Sequence, residues 1–291
     1  MKNIKMRPYR LLADHMKIYD FMIEIYEKDW RNGVPAPFLE YALSSEWMDL
    51  SYIHGSRIWE ENGRIVAFCF TESPATDIYF SLRPGYEELS DEMVSYASEF
   101  MPDMDKKQRL VIFKGQDAIE KAAKINGYKE ASGYNEMIYE FNQPLEYSLP
   151  AGFRFVDPER LDAAKCMKCC YKGFNHEVEE GPWNGESEGF YRLANAPHAT
   201  IQHAVAVENE EGEYVCWAGM WWTPQNSLAY MEPLCTIPEY RNRGLAAAAL
   251  SEHYRRMKPL GATHMTGGAN PFYAKIGFKP MIGWRYWKRD K

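Results

Sequence analysis

Two arginines flank an asparagine and lead into a glycine in IPEYRNRGLAAAAL, residues 237–250. Alanine is the strongest helix former, so LAAAAL predicts a helix. The charged turn that feeds it predicts more. The first N–H groups of a helix have no internal acceptor and carry the positive end of its dipole. A phosphate placed there is held by backbone donors, and Gly244 lets the main chain approach it closely. Arg241 and Arg243 add forked cationic donors, and Ala246 is too small to crowd a bound group. The turn made by Arg241, Asn242, Arg243, Gly244, Leu245 and Ala246 therefore suits a pyrophosphate.

Other side chains with chemical capacity point less sharply. CMKCC at 166–170 has the residue types of a metal site, but no second CxxC pair accompanies it. The same residues fit a helix, PERLDAAKCMKCCYKGF, that turns small apolar thiols towards a core, and no metal is expected. His203, His253 and His264 are bases by residue type. His253 falls inside the long helix and His264 in the apolar run ATHMTGG, so packing or surface roles are expected of all three.

Bulk composition sets the frame for these residues. A chain of 291 residues accommodates two ordinary domains, and 46% hydrophobic with 26% charged content is that of a soluble globular protein. A net charge of −7 argues against a general nucleic-acid role and leaves 241–243 as a local basic patch for an anionic small molecule. No apolar run approaches the roughly 18 residues that span a bilayer, and the start, MKNIKMRPYRLLADHMK, has no apolar signal core. Six cysteines are too few for a disulfide scaffold of this size, which favours a reducing cytoplasm.

The elements that would position the turn occur twice. RIWEENGRIVAFCFTE (57–72) holds Asn62-Gly63 between two β-prone runs, a strong hairpin signal. HAVAVENEEGEYVCWAGMWW (203–222) has the same form around Gly212. DIYFSLRPGYEEL (77–89) and LAYMEPLCTIPEYRNRGL (228–245) are each a strand-like run, a proline, and a tyrosine opening a helical stretch. IEKAAKINGYKE and NPFYAKIGFKP each read as a short helix stopped by glycine, as a left-handed C-cap requires. The paired landmarks Gly63 and Gly212, Pro84 and Pro238, Gly127 and Gly277 stand 149, 154 and 150 positions apart. One nearly constant offset in one order indicates a duplication, with residues 1–145 and 146–291 as its copies and the proline-bearing NQPLEYSLPAG (142–152) as the linker. Helices interleaved with strands predict an α/β or α+β class with a mixed sheet.

In order and motif the chain resembles the GCN5-related N-acetyltransferase (GNAT) superfamily in a tandem two-domain form. The R/Q-x-x-G-x-G/A signature falls on Arg241, Gly244 and Ala246, and a Y-x-x-x-G-F end on Tyr273, Gly277 and Phe278. The resemblance is good over 151–291 and degenerate over 1–145. It implies two GNAT-like domains, each a mostly antiparallel sheet flanked by helices, with acetyl-CoA as acyl donor and an amine as acceptor. It also implies a pantetheine arm paired like an added strand along Leu234, Cys235 and Thr236. Pro233 cannot donate to a ladder and favours a bulge there.

Within that resemblance, an amine acceptor must lose a proton before it attacks a thioester. Glu232, in an otherwise apolar strand, reads equally as that base, directly or through water, and as a structural carboxylate paired with an arginine. A backbone N–H near Leu234 or Cys235 would hold the oxyanion. By family position Tyr273 is the candidate acid for the leaving thiolate, its other reading being a core aromatic that packs the last helix, and Asn270 is a cofactor contact, although its spacing from Tyr273 is shorter than the family's. Nothing near Cys235 in sequence marks an activated thiolate.

The first copy reads PGYEELSDE where the second reads PEYRNRGLA. Carboxylates at a helix start favour the helix and repel a pyrophosphate, so this half is expected to bind no CoA and to help shape an acceptor cleft. The acidic segment HEVEEGPWNGESEGF (176–190) reads as a lid or as an ordinary solvated loop. Trp183, Trp217, Trp221 and Trp222 read as cleft lining or as core. The expected activity is direct transfer of an acetyl group to a primary amine, with a non-catalytic CoA or metabolite sensor as the alternative. Acceptor and oligomeric state are not encoded in any recognisable feature.

Overall fold

A computed structural model describes residues 3–289. In chain order the first elements are β1 (Ile4–Pro8), α1 (Leu11–Ile25), α2 (Ala36–Ser44), β2 (Arg57–Glu61), β3 (Arg64–Thr71), β4 (Asp77–Leu82), α3 (Ser90–Phe100), β5 (Arg109–Phe113), α4 (Asp117–Ile125) and β6 (Tyr128–Glu140). There follow β7 (Phe153–Phe155), α5 (Ala163–Gly173), α6 (His176–Glu180), α7 (Glu188–Ala194), β8 (Val205–Asn209), β9 (Tyr214–Ala218), β10 (Trp221–Thr223), β11 (Leu228–Tyr230), β12 (Leu234–Thr236), α8 (Leu245–Met257), β13 (His264–Thr266), α9 (Pro271–Lys275) and β14 (Lys279–Arg289).

The chain forms two compact units. The first takes the described residues up to Leu43, Trp47–Glu136 and those from Pro280 onward; the second takes Ser44–Glu46 and Met137–Lys279. Compactness thus cuts the chain away from the repeat boundary near 145. The last strand closes the first unit, and residues 137–145 belong with the second.

In the first unit the strands lie in the order β1-β2-β3-β4-β5-β14-β6. Asn62 and Gly63 both have positive φ, 51° and 81°, the conformation a two-residue hairpin demands between β2 and β3. β4 and β5 run parallel, while β5 and β14 are antiparallel with Val111 opposite Tyr286 and Phe113 opposite Trp284. One face packs Ile78, Phe80, Leu110, Ile112 and Trp287 with Met93 and Val94 of α3 and Ile119 of α4. Side chains alternate across a strand, so Tyr79, Val111, Phe113, Trp284 and Tyr286 fall on the other face.

The second unit divides its strands between two sheets. The end of β6 is followed by β13, β11 and β10 in one, and β12-β9-β8-β7 form the other. Helix α8 serves both. Leu245 and Ala249 enter the core made with β8, β9 and α5, whereas Ala247, Leu250 and Met257 enter the one made with β11, β13 and α9. A helix buried on two flanks needs small side chains, which accounts for its alanines. The cysteines of α5 behave as small apolar residues, with Cys166 and Cys169 buried in the first of these cores.

Candidate functional site

The run LAYMEPLCTI, read from sequence as one strand, is two. β11 lies between β10 and β13, running parallel to β13; β12 pairs antiparallel with β9. The chain parts at Met231–Pro233, and Gly219 makes room for the parting. A Cβ at 219 would collide with the Glu232 carbonyl oxygen and lie 2.8 Å from Pro233 Cδ, while the Gly219 N–H donates to the Pro233 oxygen at 2.8 Å. Sequence reasoning missed this glycine. Its one signal is its place directly after a strand that ends in Ala218.

The register of β12 decides which backbone groups are available. Gly219 N–H to Pro233 O and Ile237 N–H to Val215 O bracket the pairing with β9. In an antiparallel ladder alternate residues turn both backbone groups to the same side. Cys235 therefore faces β9, and Leu234 and Thr236 turn their N–H and C=O to the other edge. No strand occupies that edge among the described residues. Of the three residues expected to accept an added strand, Leu234 and Thr236 have the orientation for it, and Cys235 does not.

The Cys235 thiol is walled in as well. It lies against α5, where a Cβ on Gly173 would come within 2.7 Å of its own Cβ, and it reaches the Cys169 carbonyl at 3.6 Å. The neighbouring Cys169 and Cys170 thiols pull Cys235 below the usual thiol range despite its burial, and Cys235 in turn pushes those two upward. The group is enclosed in the core on the side of β12 away from its half-buried neighbours Leu234 and Thr236.

The turn after β12 is built as the spacing predicts, with one change of role. Asn242 and Gly244 adopt left-handed φ of 62° and 86°, and Gly244 is the N-cap of α8. The first bond of the helix is Ala248 N–H to Gly244 O at 3.0 Å, so the N–H groups of Leu245, Ala246 and Ala247 have no acceptor within the helix. A Cβ on Gly244 would meet nothing within 4 Å, and residues 241–244 are all exposed. Arg241 is turned inward. Its Nε donates to Thr236 O at 3.1 Å, and a terminal nitrogen to Gly173 O at 2.8 Å and Asn175 Oδ1 at 3.0 Å. Arg243 lies over the Tyr240 ring at 4.8 Å and donates to Glu239 O. Arg241 thus braces the turn against β12 and the end of α5, and the donors left open at the start of α8 are backbone N–H groups.

Tyr273 is buried and packs edge-on against Phe272 and Phe278, each 5.2 Å away. Gly267 and Gly268 form its wall. A Cβ on Gly267 would lie 2.8 Å from the ring, and one on Gly268 would lie 3.1 Å from it. Tyr273 belongs to the same apolar cluster as Met231, and Leu234 packs against that cluster. Asn270 acts locally, its Oδ1 accepting the Phe272 N–H at 2.9 Å and capping α9. Glu232 is half-buried in the break between β11 and β12.

The histidines do not gather here. Burial pushes His253 down to about 3, and neither of its ring nitrogens has a partner; His264 is buried against Thr263 Oγ1 at 2.9 Å. Burial, helped by Arg256, also lowers His203. Trp217 and Trp221 are buried in the second unit, Trp222 is half-buried against one core, and Trp183 is half-buried. The segment 176–190, read as a lid or as a solvated loop, holds the short helix α6 and the start of α7 and is largely exposed.

The fold that carries these features has counterparts among known proteins. Residues 199–280 match the family model of the acetyltransferase (GNAT) domain. Similar solved structures include a GCN5-related N-acetyltransferase from Sphaerobacter thermophilus, at 14% identity and a TM-score of 0.61, covering 98% of this chain and 94% of that one. A tandem GNAT protein from the clavulanic acid biosynthesis pathway, solved without AcCoA, aligns at 13% identity with a TM-score of 0.61 over 98% of both chains. This is a GNAT-fold protein. A GNAT-family acetyltransferase from Colwellia psychrerythraea aligns with the same fold at 12% identity and a TM-score of 0.60, covering 99% of this chain and all of its own. No curated protein matches by sequence. The tandem GNAT fold spans nearly the whole chain, and the acetyltransferase family model covers its residues 199–280. Among the described residues, no helix is long and apolar enough to cross a membrane.

Proposed function

We propose that the second unit transfers an acetyl group from acetyl-CoA directly to a primary amine. The observation that carries this reading is the open edge of β12, presenting Leu234 and Thr236, which runs into the unfilled backbone donors at the start of α8. A pantetheine amide chain suits the former and a pyrophosphate the latter. Bound there, acetyl-CoA supplies a carbonyl activated by its thioester.

The residues of the chain then have separable roles. An amine with a pKa of about 10.4 arrives protonated at neutral pH. Glu232, at the parting of the strands, takes that proton directly or through water. The Leu234 N–H, which faces the open edge, is the donor for the developing oxyanion; the Cys235 N–H, turned to β9, is not. Tyr273, in the cluster that Leu234 packs against, gives its proton to the leaving sulfur. Asn242, Arg243, Gly244, Leu245 and Ala246 hold the diphosphate, and Arg241 keeps that turn in place. Asn270 contributes by starting α9, which carries Tyr273. We further read the first unit as lacking a CoA site. Glu87 and Glu88 stand where the second copy has Arg241 and Asn242, and Glu87 Oε1 accepts the Gly85 N–H at 2.9 Å.

The test is thiol release from acetyl-CoA in the presence of a panel of primary amines. Amine-dependent release is expected, with Tyr273→Phe lowering turnover more than CoA affinity. Gly244→Trp should abolish CoA binding measured calorimetrically. Tight CoA binding without release across the panel would indicate a sensor, and unchanged affinity in Gly244→Trp would remove the cofactor placement.

A further inference from the structure

The sheet face of the first unit opposite α3 and α4 carries polar chemistry that acyl transfer does not use. Phe70 is opposite Tyr79 and stacked on it at 5.3 Å, and Tyr79 is opposite Val111, which is opposite Tyr286. Trp284 on β14 meets Tyr79 edge-on at 6.1 Å and lies parallel to Tyr134 of β6 at 5.6 Å. Tyr134 also tilts against Tyr286 at 6.1 Å. Two carboxyls join these rings: Glu72, one residue beyond β3, accepts the Tyr79 hydroxyl at 3.0 Å, and Glu136 lies on β6 two residues after Tyr134.

The charges on this face do not balance. Its guanidinium, Arg109, is committed to Asp77 by a fork that includes Nε to Oδ1 at 2.7 Å, and lies 4.4 Å over the Tyr286 ring. No basic side chain of the described residues makes an ion pair with Glu72 or Glu136. Both carboxyls are only half-buried and Tyr134 is 37% exposed, so solvent reaches them. Burial pushes each up to about 7, and the charge of Glu136 adds to the effect on Glu72. A third polar group is left over at the floor. Trp284 is 95% buried, and its indole N–H closes no hydrogen bond.

We propose that this face of the first unit binds a small organic ammonium ion between Glu72 and Glu136, walled by Tyr79, Tyr134, Trp284 and Tyr286. Ring faces attract cations through their quadrupole, most strongly when the cation is weakly hydrated. Two carboxylates supply the opposite charge. A calcium or magnesium ion would demand six or more oxygen ligands, which aromatic walls do not provide. An anion would meet the same carboxylates as repulsion. The site is independent of acetyl-CoA and of the chemistry proposed for the second unit.

Binding a cation favours both carboxylates, so it should release protons and strengthen as pH rises from 6 to 8. The other ionisable groups of this face do not cancel that trend. Asp77 is held by Arg109, and burial keeps the Tyr79, Tyr134 and Tyr286 hydroxyls neutral. Glu40, on the neighbouring helix α2, is engaged by His15 Nε2 at 3.0 Å.

The experiment is calorimetric titration of the full chain with butylammonium and tetramethylammonium chlorides, matched against sodium chloride. Saturable binding at pH 8 is expected, about tenfold weaker at pH 6, and at least about tenfold weaker in E72Q/E136Q. That double variant should melt at or above the wild-type temperature, because it removes two half-buried carboxyls without cationic partners. Wild type alone supplies a second readout: the binding heat should vary with the ionisation heat of the buffer as protons are released. Absence of saturable binding at pH 8, equal binding by the folded double variant, or binding without proton release would each overturn the proposal.

Discussion

His253 shows how a single side chain can be legible as a residue and not as an environment. The sequence places it within the α8 helix, and the structure encloses it entirely with both ring nitrogens unpartnered. Burial drives it to about 3, against an ordinary value near 6.5, so the folded state excludes its proton and the unfolded state accepts one. Stability contributed by the neutral ring is therefore complete above pH 6.5 and is lost as pH falls through that window towards 3. His253→Leu should hold stability at pH 7, or gain about 1–3 kcal/mol by removing unsatisfied polar atoms, and should show a shallower loss between pH 6.5 and 4 in urea titrations. An identical acid slope in both proteins would place the titration elsewhere. Arg241 makes the complementary point. Its spacing from Gly244 identified the turn, but its donors go to Thr236, Gly173 and Asn175, residues that only tertiary folding brings within reach.

Individual elements followed local chemistry where the chemistry was local. Asn62-Gly63 made its hairpin, the alanine run made α8, and Gly127 and Gly277 took the positive φ expected after α4 and α9. The break between β11 and β12 was not readable at that level. Leu228 through Ile237 forms a continuous apolar run apart from Glu232, Pro233 and Thr236, and the two halves separate because their partners differ, β13 for one and β9 for the other. Gly219 holds the parting open. Gly219→Ala should destabilise the protein by about 1–3 kcal/mol through the clash with Glu232. It should also weaken CoA binding by displacing the Leu234 edge. Thermal unfolding and CoA calorimetry measure the two effects; wild-type behaviour in both would mean that the backbone adjusts around a methyl group without cost to the site.

Connectivity of the whole molecule departs furthest from the order of the chain. The final strand β14 belongs to the first unit, where it pairs with β5 and brings the buried Trp284 and Trp287. Ending the chain after Lys279 removes none of α8, the turn at 241–246 or Tyr273. It should nevertheless unfold the unit formed mainly by the amino-terminal residues. Hydrogen exchange should show β4 and β5 amides losing protection while those of α8 keep it. Retained protection in β5 would show that β14 is dispensable to that unit.

Sequence alone determined the periodic elements, the repeated order and the anion-suited turn, because each depends on residues within a few positions of one another. It also carried the resemblance, since Arg241, Gly244, Tyr273 and Gly277 stand at motif spacing. Tertiary structure decided which edge of β12 stays open, that Cys235 faces the core, that β14 joins the first unit, and that Tyr79, bonded to Glu72, meets Trp284 and through it Tyr134. Those outcomes depend on strand register and partner choice. Partner choice is set by the burial of surfaces far apart along the chain, and no local spacing records it.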